Sequence, residues 1–191
     1  GRGVGKLASG NATGYSAAGV VIAIGKEVSG FAINERVACA GAGVANHAEV
    51  ICVPVNLAVK IPTAVSMDEA ATVTLGAIAM QGVRRCTPTL GETVLLLGLG
   101  VIGQLSAQIL LANGCRVIGV DLDKTRIEAA LSKGMNFGIC PSEEDIVDRV
   151  YNFTEGLGAD AAIVTAASSS HKIISEAMQS CRKKGRVVLV G

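Results

Sequence analysis

Three glycines in the run Gly98-Leu99-Gly100-Val101-Ile102-Gly103 carry the clearest chemistry in the chain. Their GxGxxG spacing suits a diphosphate cradle: the first glycine permits a tight turn, the second lets backbone approach a phosphate, and the third lets a helix sit close on a strand. The helix start adds free N–H groups and about half a positive charge for the anion. With 24 glycines among 191 residues such patterns also arise by chance, so context decides. Thr93 to Leu97 is an apolar run of strand length, and Ile102, Leu105, Ile109 and Ala112 then recur at helical spacing up to Asn113-Gly114. A second apolar run, Arg116 to Val120, ends in Asp121, about 20 residues beyond the loop, where the dinucleotide fingerprint places an acid on the adenosine ribose. The alternatives are a tight strand-to-helix turn that binds nothing, or a methyltransferase-type nucleotide site.

Asp121 also bears on the choice of cofactor. A 2′-phosphate carries about −1.5 to −2 charges, and each would be repelled by up to roughly 4 kcal/mol at 4 Å with an effective dielectric near 20. Lys124 and Arg126 lie beyond the acid and would offset only part of this, so NAD is expected over NADP. His47, with Glu49 two positions on, reads either as a proton carrier or as a structural strand residue. His171, after three serines, reads as solvated, and Thr72 and Thr74 face either a cleft or the core.

These residues need a scaffold, and the composition says which kind. Half of the residues are hydrophobic but only 3% are aromatic and none is Trp, which suits a tightly packed α/β core. A net charge of +1 leaves no basic surplus for nucleic acid. No apolar run reaches the roughly 18 to 20 residues of a membrane span, so no membrane partner is expected. Six cysteines without a CxxC pair read as free thiols, and the expected location is the cytoplasm. The missing initiator Met and the apolar run directly before Gly191 read as a piece of a longer protein.

Taken in order, residues 1–13 read as a linker or frayed end. Short β-type runs follow at Gly19 to Ile24, Val37 to Ala40 and His47 to Val53, in the pattern of a small antiparallel barrel or sandwich. Ser66-Met67-Asp68-Glu69 is a capping box that opens an Ala-rich helix to about Arg85. After Asp121 the alternation continues: a helix capped by Asp123 and stopped by Gly134, a strand Phe137 to Cys140, and a helix from Pro141-Ser142 with Glu143, Glu144 and Asp145 in its first turn. A strand Ala161 to Thr165, a helix Ser168 to Cys181 and a strand Arg186 to Val190 complete it. Alternating strands and helices imply a parallel sheet with right-handed crossovers, one strand short of a six-strand doubly wound domain. The expected division is a barrel domain over 1–65 and a nucleotide-binding domain over 66–191. A fifth strand at a sheet edge could pair across a two-fold axis, which fits a homodimer.

Asn34-Glu35-Arg36-Val37, Ala48-Glu49-Val50, Val59-Lys60-Ile61-Pro62 and the glycine loop together resemble, in order, the GDRV turn, AEY strand, V-K-I/L-P junction and nucleotide loop of the medium-chain dehydrogenase/reductase superfamily. The stretch from Cys39 to Glu49, followed by Thr74 to Arg85, also resembles a subgroup fused to a Gfo/Idh/MocA-type oxidoreductase module. The superfamily resemblance implies a partial GroES-like barrel before a Rossmann domain, and hydride transfer between nicotinamide and a carbonyl, alcohol or activated alkene. It implies that the loop Thr165-Ala166-Ala167-Ser168 passes beside the nicotinamide ribose. Zinc-dependent members carry a Gly-His-Glu triplet where this chain has Gly14-Tyr15-Ser16, and their second cysteine ligand falls at Val73. The four-cysteine structural zinc lobe is missing too, so no metal is expected. Tyr15 either orients substrate or merely fills the vacated space, and no catalytic acid or base is identified. The competing reading is a non-catalytic nucleotide-binding or redox-sensing module of a larger fused protein.

Overall fold

A computed structural model describes residues 13–167 and 171–190. Residues 1–12 of the linker expected over 1–13, and the expected ribose contact Ser168, lie outside the described residues. Two compact units part between Leu75 and Gly76.

The first unit holds an antiparallel sheet of β1 (Ser16–Val20), β2 (Arg36–Ala40) and β3 (Ala58–Lys60), with β2 in the middle. Val37, Cys39 and Ala45 form its small core, with Phe31 and Val53 packed against them. The strand expected over Gly19 to Ile24 begins earlier and stops at Val20. One further bonded pair, Val21 N–H to Glu35 O at 2.9 Å and Asn34 N–H to Val21 O at 2.8 Å, closes the ladder, and Asn34 then turns away at φ +70°. His47 to Val53 is not a strand, contrary to its β-type pattern. β1 and β3 take both edges of β2, and the segment pairs with neither of their outer edges. Its His47 N–H instead bonds Thr13 O at 2.8 Å.

The capping box forms as expected: Ser66 Oγ accepts from Glu69 N–H, and the Glu69 carboxylate accepts from Ser66 N–H at 2.8 Å. The helix it opens is not continuous. It divides into α1 (Met67–Ala71) and α2 (Val73–Cys86), because Thr72 Oγ1 donates back to Glu69 O at 2.8 Å and leaves Thr72 at ψ −1°.

In the second unit, β4 (Thr93–Leu97), α3 (Val101–Ala112), β5 (Arg116–Val120), α4 (Lys124–Ser132), β6 (Phe137–Ile139), α5 (Ile146–Phe153), β7 (Ala159–Val164), α6 (Lys172–Ser180) and β8 (Cys181–Leu189) alternate as expected. The five strands form one parallel sheet in the order β6-β5-β4-β7-β8, the first five strands of a doubly wound arrangement. Central β4 explains the order: every residue from Val94 to Leu97 is fully buried. Val94 and Leu96 pack on one face with Val117 and Ile163, while Leu95 and Leu97 pack on the other with Ile118 and Ala162. A run without a polar face needs cover on both sides, and helices supply it.

Three boundaries in this unit differ from expectation. α5 begins at Ile146, not at Pro141: Asp145 caps it by accepting from Asp148 N–H at 2.9 Å, while Glu143 and Glu144 stay in the preceding turn and pair with Lys124 and Arg149. α6 begins at Lys172. β8 starts five residues before Arg186 and accommodates the extra length through a bulge opposite β7. Among the described residues no helix is long and apolar enough to cross a membrane.

A charged knot ties the amino ends of three of these strands. Asp160 accepts from Thr93 N–H at 2.8 Å and from Arg182 Nε at 2.6 Å. Burial pushes the Asp160 carboxyl up, but the Arg182 guanidinium and the Thr93 amide outweigh it and hold the group below its ordinary value. A depressed carboxyl stabilises the fold above its unfolded pKa and loses that contribution as pH falls through the folded value. Chemical denaturation should therefore find Asp160→Asn less stable than the parent by about 1.5 to 3 kcal/mol at neutral pH, with the difference shrinking from about pH 4 downward.

Candidate functional site

The chain leaves β4 at Leu97 and turns sharply at Gly98, whose φ of +101° puts it in the left-handed region. A Cβ at Gly98 would also sit 2.7 Å from Ala166 N. Leu99 sends its side chain fully into the core and so anchors the loop. Gly100 is the N-cap of α3 and places no side chain over its end. At Gly103 a Cβ would lie 2.0 Å from Gly98 O, so glycine there sets how closely α3 packs on the turn. Around Gly100, by contrast, a Cβ would meet nothing within 4 Å. Gln104 N–H is the first to find its acceptor inside this turn, Gly100 O at 2.8 Å. The amides of Val101, Ile102 and Gly103 are the orphan donors of the helix start.

Asp121 stands beside this loop, at the end of β5. Its Oδ2 accepts from Leu99 N–H at 2.7 Å and its Oδ1 accepts from Asp123 N–H at 2.9 Å. The side chain is only 9% exposed. Each carboxylate oxygen retains a lone pair for a further donor, such as a sugar hydroxyl. Thr165 closes the third side: its N–H donates to Leu97 O at 2.9 Å and its hydroxyl to Gly98 O at 2.7 Å. The fold thus brings Gly98 to Gly103, Asp121 and Thr165 together at the carboxyl edge of β4, β5 and β7, where β4 has neighbours reached in opposite directions. Ligands bind at such a switch point in open α/β sheets.

Two residues were not placed at this site by sequence reasoning. Arg126 Nη1 lies 3.6 Å from Asp121 Oδ2 and its Nε lies 3.5 Å from Asp123 Oδ2, so the cation sits on the acid and not beyond it. Gln104 Nε2 donates to Arg126 O at 2.7 Å and to Leu99 O at 3.3 Å, while its Oε1 is buried with no partner among the described residues. The spacing of Arg126, in the first turn of α4, was the only available signal for it.

In the first unit, Tyr15, Asn46, His47 and Thr72 line an open cavity of about 510 Å³. Thr74 sits under β2 instead, donating to Cys39 O at 3.5 Å. Because His47 is not on a strand, the alternation that would place Glu49 on its face does not hold. His171 is exposed at the start of α6 and caps nothing with its side chain. The residues at the positions of the zinc ligands do not fit a metal. Ser16 Oγ is committed to Ala71 O at 2.5 Å, Val73 has no donor atom, and no group of three His, Cys, Asp or Glu is gathered to hold an ion among the described residues.

Residues 101–191 match the family described as zinc-binding dehydrogenase. The chain is 31% identical over 132 residues to (R,R)-butanediol dehydrogenase of Neisseria gonorrhoeae, covering 69% of this chain and 36% of that protein. It is 32% identical over 148 residues to the NAD-dependent alcohol dehydrogenase of Sulfurisphaera tokodaii, covering 76% of this chain and 42% of that one. A solved quinone oxidoreductase of Pseudomonas syringae superposes with a TM-score of 0.82 at 28% identity, over 92% of this chain and 54% of that one. The matched part is therefore well under half the length of those two curated relatives. With the glycine loop, the sheet order and these likenesses in agreement, the chain belongs to the medium-chain dehydrogenase/reductase superfamily.

Proposed function

We propose that the chain is part of an NAD(H)-dependent oxidoreductase that transfers hydride to or from a carbonyl, alcohol or activated alkene without a catalytic zinc. The observation that carries this reading is the meeting of Asp121 with the Leu99 amide, 2.7 Å apart, beside an uncapped helix start and an open Gly100. The backbone from Leu99 to Gly103 holds the diphosphate, Asp121 takes a hydroxyl of the adenosine ribose, and Thr165 shapes the wall beside the nicotinamide ribose. The cofactor, when bound, supplies the hydride acceptor or donor. The name of the Sulfurisphaera relative supports NAD. The position of Arg126 on Asp121 favours a second reading, in which part of the repulsion toward a 2′-phosphate is cancelled and NADPH is also accepted. The working location is the cytoplasm, and β8, nine residues long at the sheet edge, is the surface offered to a second copy in a homodimer.

Fluorescence titration with NADH and NADPH tests the cofactor, and turnover of the full-length protein on aldehydes, quinones and alcohols tests the reaction; binding without any turnover would favour the non-catalytic alternative. Two glycines should separate fold from binding. Gly103→Ala should destabilise the second unit by about 1 to 3 kcal/mol, since backbone must shift, whereas Gly100→Ala should leave stability nearly unchanged and still weaken NADH, because its methyl enters the anion's space. Asp121→Ala should lower NADH affinity about 10 to 150-fold, the loss of a charge-assisted hydrogen bond of roughly 1.5 to 3 kcal/mol. Lowered stability with unaltered affinity would reduce Asp121 to a loop anchor. Chelator treatment of the full-length protein should leave both binding and turnover in place; loss of turnover restored by zinc would defeat the metal-free mechanism.

A further inference from the structure

Two consecutive peptide units of the glycine loop are held in different ways. In the unit between Gly98 and Leu99, Gly98 O accepts from the Thr165 hydroxyl at 2.7 Å and Leu99 N–H donates to Asp121 Oδ2 at 2.7 Å, so both ends are used. In the next unit only the carbonyl is used: among the described residues Leu99 O accepts from Gln104 Nε2 at 3.3 Å, and Gly100 N–H has no acceptor. The peptide bonds here are trans, so the carbonyl and N–H of one unit point in opposite directions, and Gly100 N–H points away from Gln104. Gly100 has a φ of −65°, but a glycine backbone takes positive φ without strain, so the residue type alone would let this plane turn over. A turned plane offers an anion a carbonyl oxygen where it needs a donor.

Gln104 opposes that rotation. Its carboxamide nitrogen bridges two carbonyls, Leu99 O in the loop and Arg126 O in α4, the latter at 2.7 Å. Because both partners are acceptors, only the NH2 side of the amide can face them, and the Oε1 side is left buried and unpaired among the described residues. An unpaired buried acceptor costs stability that an apolar side chain of equal length would not, so packing alone does not account for the amide. We propose that Gln104 is a positioning residue for the cofactor: bracketed to α4, it holds the Leu99–Gly100 peptide so that Gly100 N–H joins the free amides at the start of α3 as a donor to the diphosphate. The inference rests on the dinucleotide reading and deepens it with a residue that acts on the cofactor only through the loop.

Titration calorimetry of the full-length protein with adenosine, ADP and NADH tests this, because adenosine lacks the diphosphate. Gln104→Met should weaken ADP and NADH about 3 to 10-fold, the loss of one neutral hydrogen bond, and leave adenosine at the parent's affinity. Gln104→Asn, too short to span both carbonyls, should show the same split, and it is scored instead where the methionine variant melts well below the parent. Equal losses for adenosine and ADP would make Gln104 a structural residue only, and unaltered ADP affinity would remove it from the site; either result overturns the proposal. A parent protein that binds neither ADP nor NADH would sink the dinucleotide reading and this proposal with it, whereas parent binding that neither variant changes would sink the proposal alone.

Discussion

The 2.7 Å hydrogen bond from Leu99 N–H to Asp121 Oδ2 joins the carboxyl ends of β4 and β5, and the candidate cofactor site depends on it. The two strands run parallel, so both chain exits emerge on one edge of the sheet. Gly98 N–H adds a second tie to Val120 O at 2.8 Å, and the buried Leu99 side chain adds a third from below. A loop held by its amides and by its side chain has little freedom left to lose. That matters for a cradle made of backbone, since the ordering cost of a binding loop is otherwise subtracted from affinity. The same bond gives Asp121 two tasks. It satisfies an amide that the turn would bury unpaired, and it presents a carboxylate beside the helix start.

The second unit was legible in the sequence because its elements are decided locally. Thr93 to Leu97 and Arg116 to Val120 are continuous apolar runs, a pattern that only a strand covered on both faces explains in a chain alternating with helices. Their bounds came out as expected. The first unit was less legible, for a reason that is also physical. Whether a segment such as His47 to Val53 is a strand depends on whether it meets a partner edge in the fold; the outer edges of β1 and β3 do not take it up, and no local pattern encodes that outcome. The break at Thr72 came from a side chain competing for a helix carbonyl, which apolar spacing does not register.

At the candidate site the division is similar. The glycines and Asp121 stand at fixed offsets that follow from one turn of one helix between two strands, so spacing alone brings them together. Arg126 and Gln104 reach the same place through contacts between α3 and α4, which no spacing rule encodes. Arg126 alters the electrostatics that the acid alone suggests. A guanidinium 3.6 Å from the carboxylate softens its field, although at 54% exposure the cation is itself well screened.

Around Gly100 an anion would be attracted by oriented amides, assisted by the helix dipole and sensitive to ionic strength within the first turn. Around Asn46 and His47 no carboxylate, ammonium or guanidinium of the described residues lines the wall, and each contact made there would exchange a hydrogen bond with water for one with protein, a net gain of only about 0.5 to 1.5 kcal/mol. Several such contacts would be needed before a neutral ligand stayed. The same arithmetic bears on a reaction run without a metal. Where no cation stabilises a developing oxyanion, hydrogen-bond donors must do so, and they become strong only when water is excluded from them. A cavity that stays open leaves Tyr15 and His47 weak, so any catalysis built on them requires the bound molecule itself to displace the solvent.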